Sequence, residues 1–247
     1  MVFMSNNRKK IVICFVSGLL ISGISSSYAA IALDRTRVIY PGSEKNMVVN
    51  IQNESMDKPY LAQSWLEDAK GNKIIGPISV TPELQRVEPG KKSVIKLSAL
   101  PATLALPQDR ESIFYFNVRE IPPKSDRSNI LQLALQTKIK LFYRPAGIIP
   151  EKFSRQDDKL TLTKISGGYE IENPTPYYIT VLGIKGAEKG IIPKDLKPIM
   201  IPPKSKETMR SGVFATPFVT TINDFGGKPT LKFNCNGNKC IADTKNK

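Results

Sequence analysis

The chain has 247 residues, 36 Lys and Arg against 22 Asp and Glu, three cysteines and no histidine, with a formal charge of +14. Without imidazole there is no Ser-His-Asp or Cys-His nucleophile and no His-ligated catalytic zinc, although a Ser-Lys or two-carboxylate enzyme stays formally open. The length suits one large domain or two of ordinary size, and 40% hydrophobic with 23% charged residues is a globular composition.

The chain opens with Arg8, Lys9 and Lys10, an apolar run over residues 11–24, and the small residues Ser25, Ser26, Ser27, Ala29 and Ala30 around Tyr28. A charged start, a short apolar core and small residues at the cut make a secretory signal. The run is shorter than the ~20 residues of a membrane span. Cleavage after Ala29 places Ser27 and Ala29 where small side chains are required; cleavage after Ala30 would place Tyr28 there. The expected mature chain starts at Ala30, has lost Cys14, and carries 33 basic against 22 acidic residues, or +11. It should be soluble and exported, which argues against the nucleic-acid binding that charge alone would suggest.

From Ile31 onward, short β-rich segments alternate with turn clusters. In chain order the predicted strands include residues 47–51, 60–65, 93–97, 113–118 and 177–182. Tyr40-Pro41-Gly42-Ser43, Glu88-Pro89-Gly90, Pro122-Pro123-Lys124-Ser125 and Asn173-Pro174-Thr175-Pro176 separate segments of this kind. Nineteen prolines are compatible with turns and strand edges but not with helix interiors. The pattern predicts an all-β chain of antiparallel sandwiches. The prolines and glycine of residues 144–150 predict a joint, dividing the chain into residues 1–29 (signal), 30–147 and 148–247.

Residues 129–144 are the most informative segment. Leu131, Leu133, Leu135, Ile139, Leu141 and Tyr143 alternate with Gln132, Gln136, Lys138, Lys140 and Arg144, with Ala134 and Phe142 also on the second face. Period-two alternation predicts one strand ~50 Å long, far above the usual ~5–6 residues, so part of it should outrun its partners. Two readings follow: a long core strand, or an edge that lends three leucines to another protein by strand addition. An unshielded edge of that kind invites aggregation unless it is occupied.

Cys235-Asn236-Gly237-Asn238-Lys239-Cys240 reads as a hairpin tip stapled by its own cysteines, since Asn-Gly is a turn signal. Closing so short a loop contributes about 2 kcal/mol. Structural zinc needs four ligands, so no metal is expected, and no phosphate-cradling glycine loop calls for a nucleotide or other cofactor.

The stretch Leu106-Pro107-Gln108-Asp109-Arg110-Glu111-Ser112-Ile113-Phe114-Tyr115-Phe116-Asn117-Val118-Arg119-Glu120-Ile121-Pro122 resembles the signature of the periplasmic pilus-assembly chaperones. Leu33-Asp34-Arg35-Thr36-Arg37, the run from Gln136 to Pro145, and Gly167-Gly168-Tyr169-Glu170-Ile171-Glu172-Asn173-Pro174-Thr175-Pro176-Tyr177-Tyr178 agree with it. The resemblance implies two immunoglobulin-like sandwiches arranged as a boomerang with a cleft between them. It implies no catalysis: such a protein caps exported pilus subunits and passes them to an outer-membrane usher.

By that resemblance Leu131, Leu133 and Leu135 fill the open groove of a subunit, and Arg37 with Lys140 grips its C-terminal carboxylate. Glu111, Arg144 and Asp224 match a salt-bridge network between the halves, and Pro59 and Pro82 match positions that shield the subunit-binding region. The short loop over residues 122–129 resembles the branch serving rod-like pili. A self-capping homodimer is compatible with a free donor edge. The alternative, a pilus subunit or adhesin, would carry one incomplete sandwich and its own N-terminal donor segment.

Overall fold

A computed structural model describes residues 29–125, 131–152 and 154–244. The predicted signal with Cys14, and Asn129 at the head of the alternating segment, lie outside the described residues. The chain is built of strands, and among the described residues the helical elements are short 3-10 turns at Pro101–Ala105, Ala146–Ile148 and Asp157–Lys159.

Ten strands form the first unit: β1 (Ile31–Leu33), β2 (Arg37–Pro41), β3 (Asn46–Asn53), β4 (Tyr60–Glu67), β5 (Lys73–Ile74), β6 (Ile78–Thr81), β7 (Leu84–Val87), β8 (Lys92–Ala99), β9 (Ser112–Ile121) and β10 (Gln136–Arg144). One sheet runs β1-β3-β8-β6; the other runs β2-β10-β9-β4-β5, with β7 also on β4. Alternation builds the layer between them: Val49 and Ile51 of β3, Ile95 and Leu97 of β8, Phe116 of β9 and Leu141 of β10 are all fully buried in one core. Each such side chain contributes ~1.5–3 kcal/mol of transfer free energy.

The second unit contains β11 (Thr161–Ile165), β12 (Gly168–Asn173), β13 (Ile179–Lys185), β14 (Ile199–Ile201), β15 (Ser205–Met209), β16 (Phe218–Ile222), β17 (Thr230–Asn236) and β18 (Lys239–Ala242), in the order β14-β13-β16-β17-β18-β11-β12-β15. β17 belongs to both layers. Its Thr230, Leu231 and Lys232 pair with β16, and from Phe233 onward it pairs with β18. A separate core of Leu160, Leu162, Tyr169, Ile171, Val181, Ile201, Phe233 and Cys240 fills this unit. Cys235 and Cys240 sit opposite each other in the β17–β18 register and are joined.

One pairing sets the geometry of the site. The chain leaves the first sheet at Leu33 and enters the second at Arg37, where β2 lies parallel to β10. Asp34 secures the crossing: its carboxylate accepts from Arg35 Nε at 2.7 Å and from Asn50 Nδ2 at 2.6 Å, and the Arg35 guanidinium holds its pKa down at about 2. At the other end of β2, the Gly42 amide donates to the Arg144 carbonyl at 2.6 Å. A Cβ on Gly42 would lie 3.0 Å from the Arg144 carbonyl oxygen and from the Ala146 nitrogen, which are backbone atoms that cannot rotate away. Gly42→Ala is therefore expected to lift β2 from β10 and cost about 1–3 kcal/mol in urea unfolding.

Candidate functional site

The sixteen-residue strand expected from alternation is shorter in the structure: ladder pairing begins only at Gln136. The cause lies in its partner. β9 ends at Ile121, and Pro122 and Pro123, which follow it, have no N–H to continue the ladder. Among the described residues the last backbone bond between the two segments runs from the Glu120 amide to the Leu135 carbonyl, 3.0 Å. Leu135 itself is 42% exposed, and beyond it Leu133 and Leu131 are 66% and 83% exposed. They share odd-numbered register with Ile139, Leu141 and Tyr143, which are buried in the first core. The row of core residues thus continues past the end of the sandwich as uncovered leucines.

β10 lies between β9 and β2, yet β2 reaches only to Arg37, opposite Lys140. On the β2 side, residues 136–139 have no ladder partner among the described residues. This free edge stops where the two cations stand. Val38 and Leu141 enter the core, so Arg37 and Lys140, one position away in each strand, project from the opposite face of the sheet.

Neither cation has a salt bridge among the described residues, and Arg37 Nε is buried without a hydrogen-bond partner. Burial pushes the Arg37 pKa down, partly opposed by the charge of Asp224. Burial also pushes Lys140 down, and the neighbouring Arg37 charge pushes it further. Two half-buried positive groups side by side repel each other. An anion between them would relieve both terms, and a carboxylate would accept charge-assisted bonds from each. A cavity of about 490 Å³ lined by Asp34, Arg37, Ile39, Asp224 and Phe225 opens beside Arg37.

The same outer face of β10 meets the second unit further along. Sequence alternation placed Phe142 and Arg144 on the second face of the strand, and both are buried there because the second unit covers them. Phe142 packs on Tyr178 with ring centroids 5.6 Å apart, and the Arg144 guanidinium lies 4.7 Å from the Tyr177 ring. Arg144 donates to Glu111 Oε1 (2.8 Å from Nε) and to Asp224 (2.8 Å from Nη1 to Oδ2). Glu111 Oε2 accepts from the Tyr178 amide at 2.8 Å. Burial pushes the Glu111 carboxyl pKa up against the opposing pull of Arg144. Glu111, Arg144 and Asp224 therefore meet in one network that touches both units. A second link, Lys204 Nζ to Asp109 Oδ2 at 2.6 Å, had no signal in the sequence.

The ladder keeps Pro59 and Pro82 apart. Pro59 directly precedes β4, while Pro82 lies two residues before β7, and the antiparallel β4–β7 register puts these points at opposite ends of that pair. Phe225 is a further residue that sequence reasoning passed over. It is 86% exposed on the turn where Asn223 Oδ1 accepts from the Phe225 and Gly227 amides. The Asn223-Asp224-Phe225-Gly226-Gly227 cluster signalled that turn, but its approach to Arg37 depends on how the two units meet.

A strand edge without a ladder partner, exposed leucines and two cations without a salt bridge among the described residues thus lie together on the first unit. Residues 30–149 match the family described as pili and flagellar-assembly chaperone, PapD N-terminal domain, and residues 155–233 match the pili assembly chaperone PapD, C-terminal domain. The chain belongs to this family of pilus-assembly chaperones. It is 51% identical over 94% of its length to the chaperone protein PapD of Escherichia coli, covering 97% of that protein. It is 43% identical over 91% of its length to the probable fimbrial chaperone YfcS of Escherichia coli strain K12, covering 91% of it. Among solved structures, the Pseudomonas aeruginosa CupB2 chaperone is 30% identical with a TM-score of 0.68, covering 81% of this chain and 98% of that one. The SafB chaperone, solved with the Salmonella enterica SafA pilin, shares the fold at a TM-score of 0.71 and 24% identity, covering 85% of this chain and 99% of that one.

Proposed function

We propose that this chaperone captures pilus subunits by strand addition along residues 131–139 of its first unit. Leu131, Leu133 and Leu135 enter the open groove of the bound subunit, whose C-terminal carboxylate is held between Arg37 and Lys140. The observation that carries this reading is the register of Arg37 opposite Lys140 at the end of the free edge. A chain anchored there by its last residue and laid along the edge toward residue 131 runs parallel to β10. Main-chain bonds then supply affinity, while the anchor sets a register that a sheet edge alone specifies weakly.

The rest of the reading follows from that capture. The chain acts in the periplasm after signal cleavage, without catalysis, and delivers subunits to an outer-membrane usher. Free copies cap each other's edges as a homodimer. The units divide between Gly147 and Ile148, Glu111, Arg144 and Asp224 hold them in register, and Pro59 and Pro82 shield the region around the edge.

Co-purification of subunits from periplasm tests the proposal: Arg37→Ala and Lys140→Ala should each lose the bound pilin, and undiminished recovery would remove the anchor. The titration of Lys140 gives a second measurement. Its free-state pKa lies below 10.5, and a bound carboxylate favours its protonated form. Binding of a peptide that ends in a pilin's own C-terminal residues should therefore be flat at neutral pH and fall, by up to tenfold per pH unit, as pH rises through that lowered value. Anisotropy with a labelled peptide reads this; the peptide amide should bind weakly throughout, and Lys140→Arg should extend the plateau to higher pH.

A further inference from the structure

Glu120 carries a buried carboxylate with a hydrogen bond and no ion pair among the described residues. Its Oε2 accepts from the Ile31 amide at 3.0 Å, and the residue is 6% exposed. A carboxylate withdrawn from water is costly unless a cation accompanies it. The strands around it offer none: the registered partner of Ile31 is Asn53, that of Glu120 on β4 is Ala62, and beyond β10 the contact is Leu135. Glu54 on the adjoining chain is acidic and exposed. Lys58 and Lys91 approach this corner with backbone carbonyls that accept from Asn53, and the Arg119 guanidinium is turned to Gln63.

We infer that the cation for Glu120 is the α-ammonium group created when the signal is removed after Ala29. Processing there makes Ala30 the first residue, and its nitrogen lies within ~4 Å along the chain of the Ile31 amide that Glu120 already holds. The Ala30 carbonyl is itself fixed by the Glu54 amide at 2.7 Å. In the precursor the Ala30 nitrogen is a neutral peptide amide; after cleavage it carries a charge beside a buried carboxylate. The device reaches the functional edge, because the Glu120 amide donates to the Leu135 carbonyl, the last backbone bond before the exposed leucines. One residue thus joins the processed terminus to the root of the free edge, so signal removal completes the first unit. The inference rests on the cleavage site read from the sequence and not on the binding of pilins.

The test uses the exported, processed chain, with its terminus read by mass spectrometry. The α-amino group, followed by NMR, should titrate above the ~7.7–8.0 of a free terminus and return to that range in Glu120→Gln. A chain with Gly-Ser ahead of Ala30 should melt lower than the processed chain near pH 6. That difference should vanish as pH rises past the processed terminus's own pKa, since a cation whose folded pKa is raised stabilises below its unfolded pKa and ceases to above the folded value. If Glu120→Gln does not accumulate, acetylation of the wild-type terminus supplies the measurement: the folded chain should react more slowly than the urea-unfolded chain. An ordinary titration in the processed chain, equal acetylation rates, or a terminus other than Ala30 would each overturn the inference.

Discussion

Leu133→Glu is expected to abolish binding of pilus subunits while leaving the free chaperone as stable as its parent. The two effects separate because Leu133 lies outside the core: it is largely exposed and its backbone is beyond the β9–β10 ladder. In the free chain the change exchanges one solvated side chain for another, within about 0.5 kcal/mol. In the complex it removes ~1.5–3 kcal/mol of leucine burial. It also places a carboxylate in an apolar slot with no cation, at a cost of several kcal/mol more. A total above about 4 kcal/mol is a thousandfold loss of affinity. Recovery of subunits from periplasm and urea unfolding of the free variant measure the two halves; a variant that unfolds normally and still co-purifies with subunits would refute the strand-donor role.

Arg144→Ala is the variant expected to damage the free protein most. Arg144 pairs with Glu111, which is 3% exposed, and with the more accessible Asp224. Removing one partner of a buried pair leaves an uncompensated charge and costs about 3–5 kcal/mol. Burial already raises the Glu111 pKa, and loss of the guanidinium raises it further. The unpaired carboxyl would then take up a proton as pH falls, so the deficit of the variant should be largest near pH 7 and shrink toward pH 5. A double variant, Glu111→Gln with Arg144→Ala, should recover part of the loss because no buried charge remains. Urea titrations of the four chains give the coupling energy; additivity would mean that the network contributes no pairwise energy to the native state.

Much of the architecture was legible because alternation and turn chemistry act locally. The runs around Val49, Ile95 and Phe116 are strands in the structure, bounded by the clusters that Gly and Pro announced. The disulfide was legible for the same reason, since Cys235 and Cys240 flank an Asn-Gly turn and need no distant partner. At the two ends of residues 129–144 the neighbours, and not alternation, decided the outcome, although part of the segment was expected to outrun its partners. At the first end it overran the ladder, because only the partner strand, stopped by Pro122 and Pro123, decides where pairing ends. At the other, the face that carries Phe142 and Arg144 is covered by Tyr177, Tyr178 and Asp224, residues distant in sequence.

The amino-acid sequence by itself determined the all-β class, the two-unit organisation and, through the resemblance carried by residues 106–122, the family. The same resemblance, and not residue order, singled out the three leucines and the two cations, which stand on different strands. The tertiary structure alone decided that Arg37 stands opposite Lys140, since a parallel pairing across a separation of more than a hundred residues leaves no local trace. It alone decided that neither has a salt bridge among the described residues, that Phe225 borders the cavity beside Arg37, and that Glu120 meets the Ile31 amide. These are matters of which groups remain unpaired after folding, and pairing is settled only when every strand has found its neighbour.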